Sequence, residues 1–147
     1  MTKKKIQIRA STSTDVDAIV DLVREHAAGA GETSPVCAAY IANYLQSPQN
    51  RILLAEMNKR ILGLLSYSIR PDLYHAADSC LIEELIVEKS AREQGIAGAL
   101  MEELIRLLDK KTCVELSVSV MADNASAIRF YKSHGLVDES LYLERHL

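Results

Sequence analysis

Between Leu81 and Gly135 the apolar period of the chain changes three times, and only a sheet covered by helices accommodates the whole run. Leu81 to Val87 is an apolar stretch of strand length, interrupted by Glu83 and Glu84. From Gly95 to about Lys110 the pattern turns helical, with Ile96, Leu100, Leu104, Leu107 and Leu108 on one face. Val114, Leu116, Val118 and Val120 then alternate with Glu115, Ser117 and Ser119, the mark of a half-buried strand. A helix follows from Asp123 or Asn124 to about His134, with Gly135 placed to end it.

Upstream, Ile6 to Arg9 reads as a first strand, and Ser13 or Thr14 caps a helix carrying Val16, Ile19, Val20 and Val23. The Ala28-Gly29-Ala30-Gly31 segment ends that helix. Pro35 suits the first turn of a second helix with Val36, Ala39, Tyr40 and Tyr44, closed by Ser47-Pro48. Arg51 to Met57 and Ile61 to Ile69 form a hairpin, and Leu141-Leu143 a last strand. The predicted order is β-α-α-β-β-β-α-β-α-β, a mixed-sheet α+β domain. With 147 residues and no repeat or linker, one domain spanning 1–147 is expected.

A formal charge of −3 gives no support for nucleic-acid binding. The longest apolar stretches, such as Ile61 to Leu65, fall far short of the roughly eighteen residues of a membrane span. The start, Met1-Thr2-Lys3-Lys4-Lys5, is basic, but the alternating Ile6-Gln7-Ile8-Arg9 is not the apolar run of a signal peptide. Cys37, Cys80 and Cys113 lie far apart, which suits reduced, mostly buried thiols in a cytoplasmic protein. His26, His75, His134 and His146 have no compact ligand spacing, so no obligatory metal is assigned.

The segment after Val87 carries the first chemistry. A strand runs through a short loop into a helix whose first turn holds Gly95, Ala97, Gly98 and Ala99, all nearly bare. Exposed N–H groups and the positive end of the helix dipole make an anion site there, and Arg92 adds a charge. The competing reading is that Gly95 and Gly98 relieve close helix–strand packing.

Arg92-x-x-Gly95-x-Ala97 resembles the R/Q-x-x-G-x-G/A acetyl-coenzyme A motif of the GNAT superfamily of N-acetyltransferases, at the same strand-to-helix position. Asn124 to Leu136 resembles the family's N-x-x-A-x-x-F-Y-x-x-x-G-F segment, with Leu136 for the usual Phe. The resemblance covers nearly the whole chain, and Ile82 to Val87 is similar to the corresponding strand of aminoalkylphosphonate and spermidine/spermine N-acetyltransferases. It implies a mostly antiparallel mixed sheet of six to seven strands, splayed between the strands ending near Val87 and Val120 and flanked by about four helices. It also implies acetyl-CoA as cosubstrate, held by Leu85, Ile86, Val87, Arg92, Glu93, Gln94, Gly95, Ile96, Ala97, Gly98, Asn124, Ala127 and Tyr131. Glu93 departs from the Gly common there and places a carboxylate beside the diphosphate. Pointing to solvent, it costs little; otherwise cofactor affinity falls.

An alkyl ammonium with a pKa near about 10.4 must lose a proton before attacking a thioester, which calls for a general base. An unbulged strand sends Glu83 and Glu84 to opposite faces, so one can face the cleft; an ordinary solvent-facing pair is the alternative. The aminoalkylphosphonate resemblance implies Glu84 as base and the polyamine resemblance Glu83; Glu84 is the first candidate. Tyr131 takes the family's general-acid position, and the Ile86 and Val87 amides are oxyanion donors by the same resemblance. Asp78, Tyr74 and His75 are candidates for the acceptor pocket, with a solvated loop as the default, and Cys80 is read as packing.

The expected function is direct acetyl transfer from acetyl-CoA to the primary amine of a small molecule, with no nucleic-acid or membrane partner. The alternatives are acetylation of a protein N-terminus or lysine, and a non-catalytic coenzyme A sensor. Homodimerisation through the C-terminal strand and the Tyr40/Tyr44 helix is compatible with each.

Overall fold

Two left-handed residues set the middle of the sheet. In the computed structural model, which describes residues 5–147, Asn58 and Lys59 have φ of 52° and 60° and join β2 (Asn50–Met57) to β3 (Arg60–Asp72). Positive φ at both positions gives the tight turn whose twist matches that of the flanking strands. β1 (Gln7–Ala10) pairs antiparallel with β2, and β4 (Ala77–Val87) antiparallel with β3. β5 (Cys113–Val118) pairs parallel with β4, so the order is β1-β2-β3-β4-β5. The lysine-rich start, residues 1–4, lies outside the described residues. Among the described residues no helix is long and apolar enough to cross a membrane.

Alternation along the strands builds a core on each face. Leu53 and Ala55 of β2 meet α3 (Ile96–Leu107) through Ile96, Leu100, Met101 and Leu104. Ile52 and Leu54 instead meet α1 (Val16–Gly29) through Ile19, Val20 and Leu22, and α2 (Ala38–Tyr44) through Ile41. α4 (Ala125–Ser133) lays Phe130 and Tyr131 on the α3-side core. Helix α3 presses on the sheet at Gly63, where a β-carbon would sit 2.9 Å from Ile96 Cγ2 and 3.1 Å from the Ile86 carbonyl oxygen.

The entry to α1 is tied to the sheet by charge. Arg9 of β1 donates to both carboxylate oxygens of Asp15 at 2.8 Å, and its Nε donates to Glu56 of β2 at 3.2 Å. The Thr12 N–H also donates to Asp15, at 2.7 Å, in the manner of a helix-start capping contact. Asp15 is buried, and its bond to Arg9 outweighs desolvation, holding its pKa down at about 2.

Three expectations are corrected. Among the described residues the sheet has five strands rather than six or seven, because Leu141-Leu143 lies exposed and unpaired in a tail without regular structure. β5 stops at Val118, short of Val120, where its pairing with β4 ends. Pro35 lies ahead of α2 instead of in its first turn: Arg24 holds the Val36 carbonyl at 2.9 Å, and the helix starts only after an extended Cys37. The thiols are also unlike one another. Cys80 is buried, with burial pushing its pKa up to about 12, whereas Cys37 is exposed.

Gly63→Ala is expected to cost about 1–3 kcal/mol in chemical denaturation, since Ile96 and the Ile86 backbone must give way. Asp15→Asn should cost about 2 kcal/mol at neutral pH. Because the folded pKa of Asp15 lies below its ordinary 3.8, this stabilisation is present above that value and lost as pH falls toward 2. Denaturation midpoints of wild type and variant should therefore converge over that interval.

Candidate active site

The strand β4 carries one residue too many. Ser66 pairs with Glu84 but Tyr67 pairs with Ile82, so Glu83 has no partner on β3 and forms a β-bulge. The bulge reverses the facing of the strand. Before it, Cys80 and Ile82 point into the α3-side core; after it, Leu85 and Val87 do, and Ile86 joins the α1 side. Glu83 and Glu84 consequently line one cavity on the α1/α2 face, and the expectation that they diverge to opposite faces is overturned.

That cavity measures about 350 Å³. Ile19 and Val23 of α1, Tyr40, Ile41 and Tyr44 of α2, Asn50 and Ile52 of β2, and Leu64 and Ser66 of β3 complete its wall. The carboxylates differ in their neighbours. Glu83 accepts a hydrogen bond from the Ser68 hydroxyl at 3.1 Å. Glu84 has its pKa raised, chiefly by burial of the charged form, with His26 of α1 opposing the rise and the Glu83 charge adding to it. The Tyr131 phenol is raised first by burial and then by the charge of Glu84. Glu84, of the two, is thus the carboxylate that Tyr131 senses. Tyr44 is raised by burial and next by Glu83.

β4 and β5 part beside this cavity. Their parallel pairing runs from Asp78 with Cys113 to Ile82 with Val118, and Glu83 to Val87 have no partner on β5. The Glu88 N–H donates to the Leu62 carbonyl at 2.8 Å, which fixes the phase of the β3–β4 ladder. Counting back by twos, the Ile86 amide faces β3, while Leu85 and Val87 turn theirs toward the gap. Of the two amides named as oxyanion donors, Val87 is therefore available and Ile86 is not; Leu85 takes its place.

The gap leads to the start of α3. Gly95 caps the helix at φ 79°, no side chain caps it, and Ala99 is the first amide of the helix to bond a carbonyl, that of Gly95 at 3.0 Å. The Ile96, Ala97 and Gly98 amides are thus left for an external acceptor. The Ile96 side chain is buried in the core, so its contribution to a ligand is its amide alone. A β-carbon on Gly95 or Gly98 would meet nothing within 4 Å, so the surface above this turn is open. The alternative of glycines relieving tight packing is excluded at both positions and holds instead at Gly63.

Arg92, Glu93 and Gln94 are exposed, and Arg92 makes no ion pair among the described residues. An open, uncapped helix start with a free guanidinium fits the diphosphate of coenzyme A. Glu93 has φ of 63°, a left-handed conformation that favours glycine, which accounts for the Gly usual at this place in the resembling family.

On α4, Asn124 is committed to structure: its Oδ1 accepts the Ala127 N–H at 3.1 Å and caps the helix. Ala127 is half-buried, as is Tyr131, whose ring meets Phe130 edge-on at 5.3 Å between centroids. The remaining pocket candidates fall elsewhere. Tyr74 and His75 sit exposed at the tip of the β3–β4 hairpin, and Asp78 lines a separate hollow with Arg51 and Asp109. Nothing in the sequence pattern pointed to Tyr44, Ser66, Ser68 or His26 around the carboxylates. Tyr44 and Ser66 line the cavity, Ser68 bonds Glu83 and His26 acts on Glu84; they come from α1, α2 and β3, and only the three-dimensional packing joins them.

Known proteins share this fold. Residues 18–136 match the model of the acetyltransferase (GNAT) family. The L-amino acid N-acetyltransferase of Escherichia coli (strain K12) is 32% identical over 91 residues, which cover 60% of this chain and 54% of that protein. The chain thus spans about half the length of that curated relative. Among solved structures, an aminoglycoside acetyltransferase from an uncultured soil metagenomic sample has a TM-score of 0.82 at 18% identity, covering 97% of this chain and 95% of that one. A transcriptional regulator from Bacillus halodurans C-125 reaches 0.85 at 22% identity, covering 97% and 100%. At such identities the structures speak for a shared fold. The family match extends over most of the sequence, and the chain belongs to the acetyltransferase (GNAT) family.

Proposed function

We propose that this chain is an acetyl-CoA-dependent N-acetyltransferase that passes the acetyl group directly to the primary amine of a small molecule. The observation that carries the reading is the bulge at Glu83, which sets Glu84 in an apolar-walled cavity beside the gap between β4 and β5, within electrostatic reach of Tyr131. The family resemblance points the same way. So does the activity of the Escherichia coli relative, an L-amino acid N-acetyltransferase.

Acetyl-CoA supplies an activated thioester. The Ile96, Ala97 and Gly98 amides and Arg92 would hold its diphosphate, and the unpaired edge of β4 from Leu85 to Val87 its extended arm. Glu84 accepts the proton of the acceptor ammonium. A raised carboxyl pKa improves its match to an amine. The Leu85 or Val87 amide donates to the oxygen that becomes negative as the amine adds. Tyr131 donates its phenolic proton to the departing thiolate, a thiol of pKa near about 8.5. Burial and the Glu84 charge keep the phenol protonated until then.

Thiol release from acetyl-CoA over a panel of small amines tests the reading; tight coenzyme A binding with no turnover on any amine would overturn it. Glu84→Gln should lower kcat about 10²–10⁴-fold. In the wild type the acid limb of kcat/KM should lie above the ordinary carboxylate range, because a base with a raised pKa is protonated, and inactive, up to a higher pH. The variant should lose that limb. Tyr131→Phe should lower kcat by about 10²-fold, with a much smaller change in the coenzyme A dissociation constant.

A further inference from the structure

We propose that Glu83 is a specificity carboxylate for a second positive charge on the acceptor, so that the preferred substrates are straight-chain diamines rather than monoamines or amines bearing a carboxylate. The inference rests on the acetyltransferase reading and adds the chemical class of the acceptor.

The cavity holds two carboxylates, and no Lys or Arg lines it. Its remaining wall is largely aliphatic and phenolic, and both carboxylates are exposed at its mouth, where a cationic ligand can reach them. One ammonium satisfies Glu84, the carboxylate whose charge reaches the Tyr131 phenol, and that end is the reacting end. Glu83 belongs to the other end. The Ser68 hydroxyl holds its Oε1 at 3.1 Å, and the Tyr44 phenol senses its charge.

Tyr40 and Tyr44 stand with ring centroids 6.4 Å apart on the α2 side of the same cavity, offering aromatic faces to a cation. Ile41, Ile52 and Leu64 between them suit a methylene chain. A volume of about 350 Å³ is at the small end for ligand pockets, matching a short aliphatic chain better than a bulky polycyclic acceptor. An acceptor carrying a carboxylate or phosphonate would meet like charge at Glu83 with no cation on the lining to answer it. The bulge is what makes two ammonium sites: with regular alternation only one carboxylate would face the cavity.

The test compares straight-chain diaminoalkanes of three to six carbons with monoamines and ω-amino acids of equal length. Steady-state kcat/KM is measured for each, together with calorimetric binding in the presence of coenzyme A. Diamines should bind and react about tenfold or more better than monoamines, the scale of one hydrogen bond to a charged group. The ω-amino acids should be worst. Glu83→Gln should collapse the diamine-to-monoamine ratio toward one. Equal binding of diamine and monoamine, a preference for amino acids, or a Glu83→Gln variant that loses activity on both amines with the ratio intact would overturn the assignment. Failure of the acetyltransferase reading shows separately: diamines would bind preferentially, through Glu83, yet release no thiol.

Discussion

The inserted residue in β4 is the constraint on which the candidate site depends. A strand buried on both faces has no freedom to place two adjacent side chains together, because alternation separates them. Glu83 breaks that rule locally, and the change of facing from Ile82 to Leu85 lets aliphatic residues fill both cores on either side of it. The same stretch marks the end of pairing with β5. Two carboxylates, a strip of free backbone amides and a gap between strands thus arise within five residues, Glu83 to Val87.

The gap also joins chemistry from opposite faces. Tyr131 packs with the α3-side core and Glu84 opens into the α1/α2 side, yet the charge of one shifts the other. Desolvation acts on both and in the same direction, favouring a neutral phenol and a less acidic carboxyl. A neutral phenol is the form that can donate a proton, and a less acidic carboxyl becomes, once ionised, the stronger acceptor of one.

Much of the fold was legible in the sequence because period and punctuation agreed. The alternation after Cys113, the helical spacing from Ile96 and the Gly135 stop each correspond to an element seen. Leu141-Leu143 misled because three alternating residues form a strand only where an edge is there to receive them. Within the site, the α3 start was readable from its small residues, whereas the cavity was not. A bulge leaves no trace in composition, so alternation assigned Glu83 and Glu84 to different faces. Tyr44 showed only as part of a helix, and Ser68 and His26 carry no local pattern at all. The amide directions at Ile86 and Val87 follow from ladder phase, which no sequence period encodes.

Gly63 carries a consequence beyond stability. The first residue of α3, Ile96, presses against the backbone of β3 at that glycine, with the Ile86 carbonyl of β4 alongside. The positive end of the helix is in this way clamped to the two strands that form the wall of the cavity. An anion arriving at Ala97 and Gly98 meets amides already aimed, on a foundation shared with Glu84, so little chain has to be ordered on binding. The distance between where a diphosphate would be gripped and where Glu84 stands is set by packed backbone, as on a rigid jig.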